Sequence, residues 1–137
     1  MELGVDGIDL EPNEGGENRP ELLSLLADQG KDLIIGVGFL FADAMTEVAT
    51  ANPDISFGII DSAVDPTNVS GMVFAEEQGS FLVGVAAGLK TTTKKIGYIG
   101  GVEFPLIQKF EAGFAAGVAA SCADCTVDVK YVTYPPD

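Results

Sequence analysis

The side chain with the clearest chemical potential is Asp61. It closes the run Ile55-Ser56-Phe57-Gly58-Ile59-Ile60-Asp61, in which apolar residues lead straight into a carboxylate. A carboxylate at the carboxyl end of a buried parallel strand stands where α/β sheets bind their ligands. Ionised, it accepts two hydrogen bonds from a vicinal diol such as a ribose. Aspartate also closes turns such as the one over 63–67, and position alone does not separate the two readings. Phe39 and Phe41 follow Gly38 at the end of a second apolar run, Asp32-Leu33-Ile34-Ile35-Gly36-Val37-Gly38. One ring is expected to face a cleft and the other the core. An aromatic face beside a carboxylate suits a ring-plus-sugar ligand, although core packing is the commoner fate of a phenylalanine. These groups bind rather than break bonds. The chain contains no histidine, which excludes imidazole-dependent mechanisms and zinc sites built on histidine.

Three further motifs invite chemistry and fail on spacing. Gly36-Val37-Gly38 after a strand, with Asp61 closing the next, has the outline of a dinucleotide fingerprint, but Phe41 stands at the third glycine position, where close helix packing needs a small residue. Gly84-Val85-Ala86-Ala87-Gly88-Leu89-Lys90-Thr91 has the outline of a phosphate loop, yet Leu89 separates the lysine from the second glycine. It also lies within a helical period, so its amides run along an axis instead of circling a phosphate. Gly84 and Gly88 are expected to let this helix approach a sheet closely. Cys122-Ala123-Asp124-Cys125 follows a helix instead of opening one, the wrong end for a redox pair. A loop is expected there, closed by a local disulfide in an oxidising compartment. No cofactor and no metal is expected.

The elements that must position Asp61 and the two rings read as one alternating series. Besides the two apolar runs, 69–74, 95–99 and 126–132 are strand candidates, and Gly7 to Leu10 is a weak one. Asn18-Arg19-Pro20 starts a helix carrying Leu22, Leu23, Leu25 and Leu26, with Gly30 as its stop. Leu40, Ala44, Met45 and Val48 give a second helix, and Phe81, Leu82, Val85 and Leu89 a third. Leu106, Ile107, Phe110, Phe114 and Val118 give a fourth with a clear apolar face. This βαβα order predicts a parallel sheet covered by helices on both faces. The polar stretch Thr91-Thr92-Thr93-Lys94-Lys95 is the one plausible internal boundary.

Composition bounds the function. The 137 residues are 47% hydrophobic and 20% charged, enough for a real core. With 21 acidic against 7 basic residues the net charge is −14, which argues against nucleic acid or an anionic membrane as partner. No apolar run reaches the roughly 18–20 residues of a membrane span. Met1 to Leu10 carries Glu2, Asp6 and Asp9 and no basic residue, unlike a signal peptide.

Three segments resemble the basic membrane protein family, the lipoprotein solute receptors of ABC importers. Leu26-Ala27-Asp28-Gln29-Gly30-Lys31-Asp32-Leu33-Ile34-Ile35-Gly36-Val37-Gly38-Phe39 looks like that family's second helix and third strand. Glu76-Glu77-Gln78-Gly79-Ser80-Phe81-Leu82-Val83-Gly84 resembles the helix opening after its fifth strand. Most specific is Ile96-Gly97-Tyr98-Ile99-Gly100-Gly101 followed by Pro105-Leu106-Ile107-Gln108-Lys109-Phe110-Glu111-Ala112-Gly113-Phe114.

The resemblance implies an α/β, Rossmann-like type I periplasmic-binding-protein fold, two lobes closing on a ligand by hinge motion. Residues 1–93 would form lobe one, lacking its first strand and helix, and 94–137 would begin lobe two. The chain is thus expected to be truncated at both ends, since two lobes need roughly twice its length. The missing first strand would lie between a strand near Ile8 to Leu10 and Leu33 to Val37. Asp61 would hold ribose hydroxyls, Gly38 and Phe39 would flank it, and Tyr134 would replace a stacking aromatic of lobe two. Implied partners are a nucleoside, purine by family, and ABC permease subunits, with an extracytoplasmic location and a membrane link only through a lipid anchor outside this chain. A ligand-sensing regulatory domain of the same fold is the alternative, and a Rossmann-type enzyme comes third, for want of a usable glycine fingerprint.

Overall fold

The computed structural model describes residues 4–132. Its chain divides into two compact units, Met1–Val73 and Phe74–Asp137. The first holds helix α1 (Arg19–Asp28), strand β1 (Leu33–Val37), helix α2 (Ala42–Ala51) and strands β2 (Ser56–Ile60) and β3 (Val69–Met72). The second holds α3 (Glu76–Lys90), β4 (Lys95–Gly100), α4 (Pro105–Ser121) and β5 (Thr126–Tyr131). The expected strands and helices therefore form, with one exception. Gly7 to Leu10 makes no strand; Asp6, Gly7 and Ile8 instead line a cavity of about 200 Å³ whose other wall is Leu33, Ile34 and Ile35 of β1. A short apolar run acquires strand geometry only from a hydrogen-bonded neighbour, and this one has none.

Strand order in the first unit is β1-β2-β3, all parallel, with Val37 opposite Ile60 and Ile60 opposite Met72. Alternation along β1 sends Ile34 inward and leaves Leu33, Ile35 and Val37 exposed. Inward residues meet the apolar stripes of α1 and α2 in a core of Leu23, Ile34, Met45, Val48, Phe57 and Ile59. Each such side chain contributes about 1.5–3 kcal/mol of burial. The opposite face departs from expectation: neither helix of this unit, α1 or α2, covers it. Leu33, Ile35 and Met72 there line an open groove of about 450 Å³.

One side chain ties the far end of this sheet together. The Asn68 amide nitrogen donates to the carbonyls of Ala49 at 3.1 Å, Asn52 at 3.0 Å and Ile55 at 3.0 Å. It thereby adds a second donor to the Ala49 and Asn52 carbonyls, which also accept the Asn52 and Ile55 amides, and ties them to the Ile55 carbonyl where α2 ends and β2 begins.

In the second unit β4 pairs parallel with β5, from Lys95 opposite Thr126 to Gly100 opposite Tyr131. Helix α4 lies on one face, where Tyr98 stacks at 5.5 Å on Phe114 and donates its hydroxyl to the Ile107 carbonyl at 3.3 Å. Helix α3 packs on α4 through four glycines. A Cβ at Gly84 would strike the Phe114 carbonyl, at Gly113 that of Glu77, and at Gly117 that of Phe81; at Gly88 it would strike the Ser121 hydroxyl. Gly84 and Gly88 thus serve contact with a helix, not with the sheet as expected. This interlock keeps α3 and α4 together in the unit that begins at Phe74. The polar stretch over 91–95 is a helix-to-strand turn, in which the Thr91 hydroxyl accepts the Lys94 amide at 3.1 Å.

Candidate ligand-binding site

Strands β1 and β2 end in register, so Gly38 and Asp61 leave the sheet side by side. The Gly38 amide donates to the Ile60 carbonyl at 3.2 Å, and Gly38 holds φ at 104°, a value that side-chain-bearing residues rarely adopt. This turn starts a single 3-10 turn over Phe39–Phe41, closed by the Phe41 amide on the Gly38 carbonyl at 3.1 Å. The two rings then separate. Phe41 packs against the core, while Phe39, half-buried, takes no part in that cluster.

Asp61 holds φ at 65° and donates its amide to the Met72 carbonyl at 2.9 Å. Among the described residues only Asp61 and Lys94 combine a side chain with positive φ. Such backbone costs free energy and collects at functional positions. No turn amide donates to the Asp61 carboxylate among the described residues, the bond that a turn-closing role calls for. The fold thus brings together Gly38, Phe39 and Asp61 at the carboxyl end of adjacent strands. Tyr134 lies outside the described residues.

Sequence reasoning missed Arg19, the single arginine of the chain. Its guanidinium sits 5.5 Å from the Phe41 ring centroid and donates to the Gly16 carbonyl at 3.0 Å, covering the outer side of that ring. A lone arginine beside a helix-starting proline carries no spacing signal. In the second unit the matching strand end, that of β4, opens into Gly101–Phe104, where Val102 and Phe104 are exposed.

The cysteines sit elsewhere. Cys122 and Cys125 form the expected local disulfide, with Cα atoms 5.4 Å apart, at the amino end of β5. Although Cys122, Asp124 and Cys125 cluster, both sulfurs are bonded to each other and offer no thiolate to a metal. Asp124 instead pairs with Lys94, and the hydrogen bond from that ammonium holds its carboxyl below the ordinary value. A groove of about 580 Å³ between α3 and α4 is lined mostly by apolar residues of those two helices, among them Phe81, Leu82 and Ala116.

Residues 2–134 match the family described as PnrA-like ABC transporter substrate-binding proteins, Bmp. The chain belongs to the Bmp family. A relative in Listeria monocytogenes, described as a CD4+ T-cell-stimulating antigen, is 39% identical over 132 residues. That alignment covers 96% of this chain and 37% of the relative. The "ABC transporter nucleoside-binding protein BmpA" of Lactococcus lactis is 41% identical over 104 residues, 75% of this chain and 30% of that one. Among solved structures, a solute-binding protein of an ABC transporter system from Aeropyrum pernix K1 superposes with a TM-score of 0.84 at 27% identity. It covers 99% of this chain and 40% of its own. This Bmp chain therefore spans well under half the length of these relatives. Its fold is that of ABC solute-binding proteins, and its family is one of ABC transporter substrate-binding proteins. No helix of the described residues is long and apolar enough to cross a membrane.

Proposed function

We propose that this chain forms part of a receptor that binds a nucleoside, purine by family, and delivers it to an ABC permease without covalent chemistry. The observation that carries the reading is Asp61, held at φ 65° beside Gly38 and Phe39 where two parallel strands end. Its carboxylate is free to accept both hydroxyls of a ribose, and the Phe39 ring offers a face to the heterocycle. The Lactococcus lactis relative, a nucleoside-binding protein by name, supports the ligand class. The cavity between Asp6–Ile8 and the open edge of β1 supports a further strand there in the whole receptor. In this reading the two compact units belong to two lobes that close on the ligand, Tyr134 supplies a second ring, and a lipid anchor outside this chain holds the receptor on the outer side of the membrane.

Competition binding tests the ligand class. A radiolabelled purine ribonucleoside should bind saturably and be displaced by other ribonucleosides but not by free bases; displacement by free bases alone contradicts a site built on the sugar.

A further inference from the structure

Glu76, the first residue of α3, is the one charged residue among the described residues that is buried, its side chain 5% exposed. One carboxylate oxygen accepts the Phe74 amide at 3.3 Å. The other accepts no hydrogen bond, and the nearest cation, Lys109 of α4, stands 3.7 Å away with its side chain half exposed. Taking a carboxylate out of water is costly unless it is paired, and an unsatisfied buried oxygen calls for an explanation. The helix dipole does not supply one. An acidic residue in the first turn favours a helix, but the exposed Glu77 provides that without desolvation. What Glu76 adds is its hold on Phe74, the first residue of the second unit.

We propose that Glu76 is a positioning residue: with Lys109 as counter-ion it anchors the backbone at Phe74, where the chain passes between units, and so sets the hinge for ligand closure. The hinge role rests on the receptor reading above, whereas the anchor itself does not. Hydrogen exchange at the Phe74 amide in the ligand-free chain reads the anchor directly, and the dissociation constant for a purine ribonucleoside reads the hinge.

Glu76→Ala should exchange at Phe74 roughly tenfold faster or more, the protection a hydrogen bond to a charged group gives. It should also raise the dissociation constant about fivefold or more, the scale of coupling between distant sites. Glu76→Gln should restore part of the protection through its remaining carbonyl oxygen, and Lys109→Met should shift both readings in the direction of Glu76→Ala. Unchanged exchange at Phe74 in Glu76→Ala and Lys109→Met overturns the proposal. So does faster exchange with unaltered affinity, which leaves Glu76 a purely structural residue. A wild type that binds no nucleoside overturns the receptor reading and the hinge with it; the exchange rate alone then decides the anchor.

Discussion

Asp61 donates its amide to the Met72 carbonyl at 2.9 Å while its own backbone stands at φ 65°. The bond extends the β2–β3 ladder by one rung after the chain has already turned out of the strand. The sheet thus holds a residue in a conformation that costs about 1–2 kcal/mol for an ordinary L-residue. Gly38 makes the same exit from β1 without that cost. A carboxylate where a glycine would fit better is therefore the feature that function has to explain.

The strain sets the direction of substitutions at Asp61. Asp61→Gly should leave stability within about 1 kcal/mol of the parent, since relief of strain and the added freedom of the unfolded chain oppose each other. Asp61→Val should cost about 2 kcal/mol, because a branched side chain tolerates positive φ least. Urea denaturation followed by circular dichroism measures both. A large loss in Asp61→Gly would mean that the carboxylate holds the fold and not a ligand.

The α3–α4 interlock gives a contrast of sign between two identical changes. Gly117→Ala should cost about 1–3 kcal/mol, because its Cβ meets the Phe81 carbonyl and the helices must part. Gly79→Ala, in α3 with nothing within 4 Å of the new Cβ, should gain about 0.5–1 kcal/mol from helix propensity alone. Thermal melts of the two variants check this, and equal signs would remove the interlock.

Asn68 carries an expectation for the first unit. Asn68→Leu leaves the carbonyls of Ala49, Asn52 and Ile55 without their shared donor. About 1–2 kcal/mol should be lost, since the Ala49 and Asn52 carbonyls keep the Asn52 and Ile55 amides while the Ile55 carbonyl loses its side-chain donor. Amide exchange of β2 and the end of α2 should rise before that of α3 and α4. An unchanged urea midpoint would show that water replaces the amide at no cost.

The second unit should weaken in alkali. The Tyr131 hydroxyl bonds to the Glu111 carboxylate, and that bond foremost, with burial and the charges of Glu111, Tyr98 and Glu103, pushes its pKa up to about 12 from the ordinary 10.0. A folded-state pKa above the unfolded value favours the folded state fully below pH 10. The advantage is lost as pH rises through 12. Tyr131→Phe should abolish this dependence and leave stability flat across that window apart from the contribution of Tyr98, which is also raised, chiefly by burial. Ultraviolet titration of the tyrosines with parallel melts provides the measurement, and a normal Tyr131 titration would contradict it.

Much of this was legible in the sequence because it depends on local pattern. The runs ending at Gly38 and Asp61 read as strands from their apolar residues, of which Ile34, Phe57 and Ile59 enter the core. What escaped depends on partners distant in sequence. Gly84 and Gly88 carry a close-approach signal, but nothing in their spacing says that α4, not a sheet, is the partner. The polarity of residues 91–95 does not tell a turn from a linker, because the two share a composition. The positive φ of Asp61 comes from its bond to Met72, which no neighbouring residue announces.

The most direct test of the central claim is a titration of the isotopically labelled chain with a purine ribonucleoside and with its 2′,3′-dideoxy analogue, followed by amide NMR. The ribonucleoside should shift the amides of Gly38, Phe39 and Asp61 saturably, and the analogue should not. Asp61→Ala should weaken binding by about 1.5–3 kcal/mol, and Asp61→Asn by somewhat less, since one acceptor oxygen remains. Equal shifts with both ligands, or shifts that persist unchanged in Asp61→Ala, would contradict a site in which Asp61 holds the sugar diol.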